Sequence, residues 1–491
     1  MKKLNRWSYL WLAIGTLLLA FSNGSLTIPL ATWLAPVFVL RFSRTQKPIR
    51  GLALVFLAHI VAYAIAWSTM MPMSGLLDFL IYVSFLSVLF GVLNWLPYFA
   101  DRLISHRLPG FLATLVFPLT WTTVEFLYAR LTPFATWGSL AYTQHNNLPL
   151  VQIISITGIW GLVFLITWFA PVVNWAWEQD FEWSKIRGRG SIYVGILALV
   201  LLFGGLRLVV LSPNSETVQV ATIVGLSEIE ALLPWAEFGF DDPDRRRDYL
   251  EILDYYLERT REQARAGAEI VIWQEAAVYV FADDEEMFIQ RGADLAREEG
   301  IYLLMAFITE IKDRHGEIIE NQVVWIGPDG KVIWQYVKSI PALGEAALAG
   351  EGVVPVGRTP YGDISSAICY DMDSPSLIRQ AGRAGADLTL VPAHDTGITT
   401  IHTPMAAFRA IENGFSMVRA TGEGVSAAYD YQGRVLATTN SFTSPEAAMV
   451  AHVPTLGTRT IYSVIGDLFA LLCAVGFTII VGRVVFRRQA A

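Results

Sequence analysis

Charge is scarce in this chain. Of its 491 residues only 16% are Asp, Glu, Lys or Arg, where an ordinary soluble domain carries roughly a quarter. What charge there is leans acidic, with a net −8 at pH 7, and that balance argues against a nucleic-acid partner, which demands basic surface. Cysteine is nearly absent: the chain has two, Cys369 and Cys473. Cys473 lies deep in a C-terminal apolar run, so the two are not expected to pair and no disulfide framework is available. No internal repeat or low-complexity stretch occurs. No small-residue cleavage site follows the first apolar run, which argues against a removable signal peptide.

What the chain has in excess is apolar sequence: 54% of residues are hydrophobic and the mean hydropathy is +0.44. The excess is concentrated rather than spread. A helix needs about 20 apolar residues to cross a bilayer, and eight runs qualify, near 7–22, 26–40, 51–68, 75–97, 109–128, 150–177, 191–211 and 462–486. The first two are joined only by Ser22–Ser25 and read as a tight hairpin. Basic residues mark alternate connections: Lys2, Lys3 and Arg6; Arg41, Arg44, Lys47 and Arg50; Arg102 and Arg107; Lys185, Arg187 and Arg189; Arg483, Arg487 and Arg488. The positive-inside rule then puts both termini in the cytoplasm and residues 212–461 outside it. The expected organisation is a seven-helix membrane bundle over 1–211, an extracytoplasmic domain over 212–457, and a last helix with a cytoplasmic tail over 458–491. Glu125, inside the fifth run, is an isolated acid with a structural role or a place where lipid approaches. The aromatic loop 129–149 suits a headgroup-level belt.

Between the last two runs the pattern becomes that of an α/β domain. Short Val- and Ile-rich stretches predict strands at Thr217–Val224, Glu269–Trp273, Tyr302–Thr309, Gln322–Ile326, Val332–Val337, Ile364–Tyr370, Asp387–Pro392, Met417–Thr421 and Val425–Tyr429. Turn signals at Gly327–Gly330 and Tyr431–Arg434 predict two hairpins. Helices are expected over Asp244–Ala266, Asp283–Glu298, Ser374–Ala384 and Thr403–Asn413, with Asp283 and Ser374 as N-caps and Gly267, Gly385 and Gly414 as stops.

Three of the predicted strands end in reactive groups: Glu275, Lys338 and Cys369. Strand ends of an α/β sheet are where ligand crevices form. An unpaired thiol delivered there is a candidate nucleophile, a carboxylate can take its proton, and an ammonium can stabilise thiolate and oxyanion. Each alone has a plainer reading: a packed cysteine, a surface acid, a solvated lysine.

In that order on successive strand ends, Glu, Lys and Cys resemble the nitrilase superfamily, the carbon–nitrogen hydrolases. Preceded by seven spans and followed by one, the arrangement resembles the apolipoprotein N-acyltransferases over nearly the whole chain. Leu148–Ile153 with Thr157–Gly161, Phe408–Gly414 with Val418–Ala420 and Gly424–Ala427, and Arg459–Tyr462 with Gly466-Asp467 are the segments that resemble that family. The resemblance implies an α-β-β-α sandwich and an acyltransferase with a Glu275–Lys338–Cys369 triad. Cys369 would be the nucleophile, Glu275 the general base and acid, Lys338 the oxyanion and thiolate stabiliser, and Glu345 a second acid supporting the lysine. Tyr370 and Asp371, flanking the nucleophile, would orient it or supply a backbone oxyanion donor. The implied reaction passes an acyl chain from a phospholipid, through a thioester, to the amino group of a diacylated lipoprotein in the bacterial inner membrane. It calls for no metal or cofactor and no nucleic acid, and a monomer is expected to suffice.

Two departures from the family stand beside the triad, Gln274-Glu275 for its Pro-Glu and Cys369-Tyr370-Asp371 for its Cys-Tyr-Glu, and the others lie in loops. Ile340–Ala349 lacks the aromatics usual after the lysine, Pro392–Gly397 replaces Asn-Asp-Ala-Trp-Phe-Gly, and Ile223–Glu228 replaces Gln-Gly-Asn-Ile-Pro-Gln. These rewritten loops, at 225–235, 341–352 and 392–402, keep open a membrane-anchored amidase or related hydrolase with the same triad. A non-catalytic scaffold or transporter is disfavoured by the intact triad. His394, Asp395 and His402 match no familiar metal spacing and are expected to line the mouth of the pocket.

Overall fold

The computed structural model describes residues 7–68, 75–213, 216–225, 243–313, 316–395, 401–444 and 448–489. The chain forms two compact units, Met1–Leu211 with Ile465–Ala491, and Ser212–Val464.

In the first unit, six helices among the described residues are long and apolar enough to cross a membrane by length and composition: Pro48–Trp67, Phe79–Arg107, Gly110–Leu131, Ile159–Glu178, Trp183–Val210 and Leu468–Phe486. The first two apolar runs form shorter helices, Ser8–Leu19 and Pro29–Thr45, of 12 and 17 residues. At about 1.5 Å per residue neither reaches the roughly 30 Å of a hydrocarbon core. The run at 150–177 is not one span either. Gly158, at φ 63°, separates the short helix Ile154–Thr157 from Ile159–Glu178, because a left-handed residue ends the hydrogen-bond ladder.

Several of the charged groups in this unit find partners within it. The Glu125 carboxylate accepts from Trp121 Nε1 at 2.9 Å and Ser139 Oγ at 2.8 Å. The aromatic loop folds back onto the unit at Trp137, which is buried, while Leu131 and Pro133 stay exposed. Arg44 pairs with Asp101 at 2.7 Å and with Glu178 at 3.2 Å, while Arg102 donates to the carbonyls of Arg44 and Gln46. The connections after the second, fourth and sixth apolar runs thus meet. Arg130 pairs with Asp467, which also accepts from Trp160 Nε1 at 2.7 Å and so ties the last helix to the bundle.

The second unit is built on strands β1 (Thr217–Ile223), β2 (Ile270–Trp273), β3 (Val278–Val280), β4 (Tyr302–Asp313), β5 (Gly316–Ile326), β6 (Val332–Val337), β7 (Val356–Thr359), β8 (Gly362–Ser366), β9 (Leu388–His394), β10 (Ser416–Gly422), β11 (Val425–Tyr429), β12 (Val435–Asn440) and β13 (Met449–Pro454). One seven-stranded sheet runs β13-β1-β2-β4-β5-β6, with β3 also on β4. A six-stranded sheet runs β12-β11-β10-β9-β8-β7. Strands joined through helices pair in parallel, β1 with β2 and β8 with β9 with β10, as crossover connections require. The two hairpins expected from their turns are present as antiparallel β5–β6 and β11–β12. β3, β7, β12 and β13 were not predicted; β3 is three residues long, and β12 alternates too weakly to register.

The sheets face each other across a core of Val218, Ile272 and Leu304 against Leu388, Leu390 and Val418. Helices Pro243–Arg265 and Glu285–Glu299 cover the outer face of the larger sheet, packing Leu253 and Leu295 onto it. Helices Pro375–Ala384 and His402–Asn413 cover the smaller one with Ile378 and Ala410. The result is an α-β-β-α sandwich. Because both faces of each sheet are covered, β2, β9 and β10 are buried along nearly their whole length rather than at alternate residues.

Gly385 and Gly414 cap their helices in the left-handed region, at φ 85° and 83°. A Cβ at Gly414 would stand 1.8 Å from the Thr458 carbonyl oxygen, whereas at Gly385 nothing lies within 4 Å. Gly385→Ala is therefore expected to cost about 1 kcal/mol from its φ alone. Gly414→Ala is expected to cost about 3 kcal/mol or more, since the Thr458 backbone must also move. Thermal unfolding of the two full-length variants in detergent measures the difference.

Candidate active site

Lys338 follows β6 and is 2% exposed. Its Nζ lies 2.7 Å from Glu275 Oε1, just past the end of β2, and 2.7 Å from Glu345 Oε2, in the loop that follows. Asn321 on β5 donates from Nδ2 to both acids, at 2.8 Å to Glu275 and 2.9 Å to Glu345. The Glu345 carboxylate also accepts Ala342 N–H at 2.8 Å, which fixes the loop carrying it. Asn321 gives no sequence signal beyond being a polar residue in a buried strand.

Cys369 is buried beside the same cluster: its thiol donates to the His394 carbonyl at 3.7 Å and feels the charges of both Glu275 and Lys338. The strand expected to run to Tyr370 in fact ends at Ser366, and Cys369 opens a 3₁₀ turn, Cys369–Asp373. The Asp371 carboxylate causes this. It accepts Ile368 N–H at 3.0 Å and Ile340 N–H at 2.8 Å, and takes the Tyr336 hydroxyl at 2.7 Å. The backbone is pulled into a turn and fastened to β6 and to the segment after Lys338. The amide of Asp371 is itself taken up by the Ile368 carbonyl, so its side chain, not its N–H, is the part that acts on the turn. Cys369 has φ 44°, and Ala276, next to Glu275, has φ 53°. Left-handed backbone at non-glycine residues is costly and gathers at working sites.

The electrostatics assign protonation states. Burial alone would raise the Glu275 carboxyl, but the Lys338 charge and hydrogen bond outweigh it and hold the acid below its usual range. Burial would lower the Lys338 ammonium, yet Glu275, Cys369 and Glu345 push it up, so it stays charged. Burial raises the Cys369 thiol and the Glu275 charge adds to that, with His402 and Lys338 opposing. At rest the site therefore holds a neutral thiol beside an ionised carboxylate, the starting state for general-base activation. Asp371 is pushed up to about 6 by burial, against the hydrogen bonds it accepts.

Asp395 and His402 are not at the pocket mouth, as expected from the sequence, but fully buried. His402 Nδ1 lies 2.9 Å from Asp395 Oδ1 and its Nε2 lies 2.7 Å from Asp373 Oδ2. Burial would lower the imidazole, but Asp373 and Asp395 raise it well above its usual value despite Arg419 nearby. Arg419, from the middle of β10, puts Nη1 and Nη2 each 2.8 Å from an Asp395 oxygen. Ligand atoms of Cys369, Asp395 and His402 all come within 4.8 Å of one another. A guanidinium already bonded to both Asp395 oxygens gives that group the character of an ion-pair network rather than of a metal cradle. His394 is partly exposed at the end of β9, and its carbonyl lies 3.7 Å from Cys369 Sγ. Of the rewritten loops, residues 226–235 and 396–400 fall outside the described residues.

A buried thiol, carboxylate and ammonium gather at the strand ends of an α-β-β-α sandwich, and residues 243–454 match the family model described as carbon-nitrogen hydrolase. Residues 14–172 match a second model, the apolipoprotein N-acyltransferase N-terminal domain. An apolipoprotein N-acyltransferase from Geobacter metallireducens is 28% identical over 99% of this chain and 96% of its own length. Another, from Shewanella oneidensis, is 25% identical over 76% of this chain and 74% of its own. Among solved structures, an amidase from Nesterenkonia sp. is 20% identical, covering 50% of this chain and 92% of that one at a TM-score of 0.39. The chain belongs to the apolipoprotein N-acyltransferase family of the nitrilase superfamily.

A neutral resting thiol has a kinetic signature. Below its pKa the thiolate fraction climbs about tenfold per pH unit, so alkylation of Cys369 by iodoacetamide should be slow at pH 7 and still rising at pH 9. A preformed thiolate–imidazolium pair would instead level off near neutrality. Mass spectrometry of the Cys369 peptide across that range distinguishes the two.

Proposed function

We propose that this protein transfers an acyl chain from a membrane phospholipid to the α-amino group of a diacylglyceryl-cysteine lipoprotein, using Cys369, Glu275 and Lys338. The observation that carries the reading is Lys338 fixed between Glu275 and Glu345 beside a neutral buried thiol, in a chain that aligns from end to end with a named apolipoprotein N-acyltransferase.

In the first half-reaction the Glu275 carboxylate takes the Cys369 proton as sulfur attacks the ester carbonyl carbon. Two of the three Lys338 N–H bonds are committed to Glu275 and Glu345, and the third is directed to the oxyanion. Collapse breaks the ester C–O bond, Glu275 returns the proton to the departing glycerol oxygen, and lysophospholipid leaves a thioester on Cys369. In the second half-reaction the lipoprotein amine attacks that thioester. Glu275 takes a proton from nitrogen and gives it to the departing sulfur, which restores the thiol. Proton transfer of this kind and a fixed cation at the developing oxyanion each lower the barrier by several kcal/mol, on the order of 3 for one well-placed donor. Glu345 holds the ammonium in place, and Asp371 and Tyr336 hold the nucleophile turn. Tyr370, beside Cys369, stays protonated, raised first by burial and then by Asp373.

The substrates explain the helical unit. Acyl chains bind lipid with about 0.8 kcal/mol per buried methylene, so a membrane-held enzyme meets both donor and acceptor without extracting either. The inner membrane of a bacterium is the proposed location, with both termini cytoplasmic and residues 212–457 outside. The meeting of Arg44, Arg102 and Glu178 in the structure supports putting those three connections on one side. One copy brings Cys369, Glu275, Lys338 and Glu345 together, which supports a monomer as the working form.

Incubation with phospholipid labelled in its acyl chain should leave label on Cys369 that hydroxylamine releases, and Cys369→Ala should insert normally yet carry no label and N-acylate no lipoprotein. Undiminished lipoprotein N-acylation by Cys369→Ala would overturn the mechanism. Cleavage of amides without acyl labelling would instead favour a membrane-anchored hydrolase.

A further inference from the structure

Arg419 is a charge in the wrong place for a core strand. β10 is buried along its whole length, and Arg419 itself is fully buried among Met417, Val418 and Ala420. Removing an unpaired charge from water is prohibitive, and Arg419 is anchored accordingly. Nη1 donates to Asp395 Oδ2 at 2.8 Å and to Thr403 Oγ1 at 2.5 Å, and Nη2 meets Asp395 Oδ1 at 2.8 Å. Asp395 alone would satisfy an arginine fork. The protein adds His402, braced from its other nitrogen by Asp373, and the turn that carries Asp373 begins at Cys369. Arg419 Nη2 stands 4.0 Å from Cys369 Sγ.

Arg419 and Asp395 form a buried ion pair that His402 and Asp373 extend, and the guanidinium edge is turned to the sulfur. Its counterpart, Glu275, Glu345 and Lys338, carries one net negative charge. A thiolate formed there, once Glu275 has taken the proton, faces Glu345 and a protonated Glu275 with Lys338 alone in compensation. The remaining ionisable groups near the sulfur are Tyr370 and Asp371 on its own turn and His394 at the end of β9.

We propose that Arg419, held by Asp395 and His402, is a second positioning residue for the nucleophile, presenting positive charge to the Cys369 sulfur from β10 and favouring the thiolate that Glu275 creates. The inference rests on Cys369 being the nucleophile and goes beyond the Glu–Lys–Cys set. Its geometry has a further consequence. His402 Nδ1 lies 2.9 Å from both Asp395 Oδ1 and Arg419 Nη2, and its Nε2 lies 2.7 Å from Asp373 Oδ2, so both ring nitrogens are engaged in this network and His402 acts through Arg419 rather than as a base for the thiol.

The test is the pH profile of Cys369 alkylation in the full-length protein, read on the Cys369 peptide, with no lipid substrate present. Arg419→Met, which removes the charge but keeps bulk, is expected to slow alkylation at pH 8 by about tenfold or more and to displace the profile upward by about one pH unit. Arg419→Lys, which keeps the charge without the fork, should lie between that variant and the parent. His402→Gln should displace the profile in the same direction. Profiles of folded Arg419→Met that overlay the parent overturn the proposal, as does an Arg419→Lys profile as far displaced as Arg419→Met, because charge would then be irrelevant. Should Arg419→Met not fold, Arg419→Lys and His402→Gln decide by the same criterion: displacement supports the proposal and overlay overturns it. Failure of the acyltransferase reading would show separately, as absence of acyl label on Cys369 in the parent.

Discussion

An ammonium shut away from water must be met by carboxylates, and most of the catalytic unit is arranged around that requirement. Lys338 is nearly inaccessible. Breaking a buried pair by deleting one partner typically costs about 3–5 kcal/mol, so Glu275, Glu345 and Lys338 stand or fall together. Asn321 cross-links the two acids, and the Tyr336–Asp371 bond ties the strand before Lys338 to the turn bearing Cys369. Three strand ends and two loops are thereby brought into one register. In the proposed mechanism, shuttling a proton between sulfur and Glu275 changes no net charge in this volume, so a low-dielectric site can tolerate the step.

Much of this is legible in the amino-acid sequence. The three reactive groups stand after apolar runs, and apolar runs that end abruptly in a charge are recognisable in one dimension. The turn at Cys369 was not legible, because its cause is a carboxylate two residues later reaching back to Ile368 and across to Ile340. The buried ion network was even less so. Asp373, Asp395, His402 and Arg419 come from a turn, a strand end, a helix start and the middle of another strand, and no spacing rule links them. One signal was available: an arginine flanked by Met417, Val418 and Ala420, where a solvated side chain is implausible.

The helical unit repeats the lesson in another form. Hydropathy marks apolar runs but is blind to where a helix breaks inside one. Gly158 divides a run that reads as continuous, and only its backbone angle reveals the division. Polar residues such as Glu125 and Asp467 look anomalous in such runs until their partners, Trp121 and Ser139 in one case and Arg130 and Trp160 in the other, are seen beside them.

The pairing of β1 with β13 sets an order of events. Thr217 lies opposite Pro454, so the first strand of the catalytic unit finds its outer neighbour only in the last. During synthesis, β1 can pair with β2 early, but its other edge stays open until the ribosome has passed residue 454. By then the next segment to emerge is the apolar helix Leu468–Gln489. Completion of the sheet and insertion of the final helix are thus close neighbours in time, and a chain interrupted between them would leave an exposed strand edge of the kind that invites aggregation.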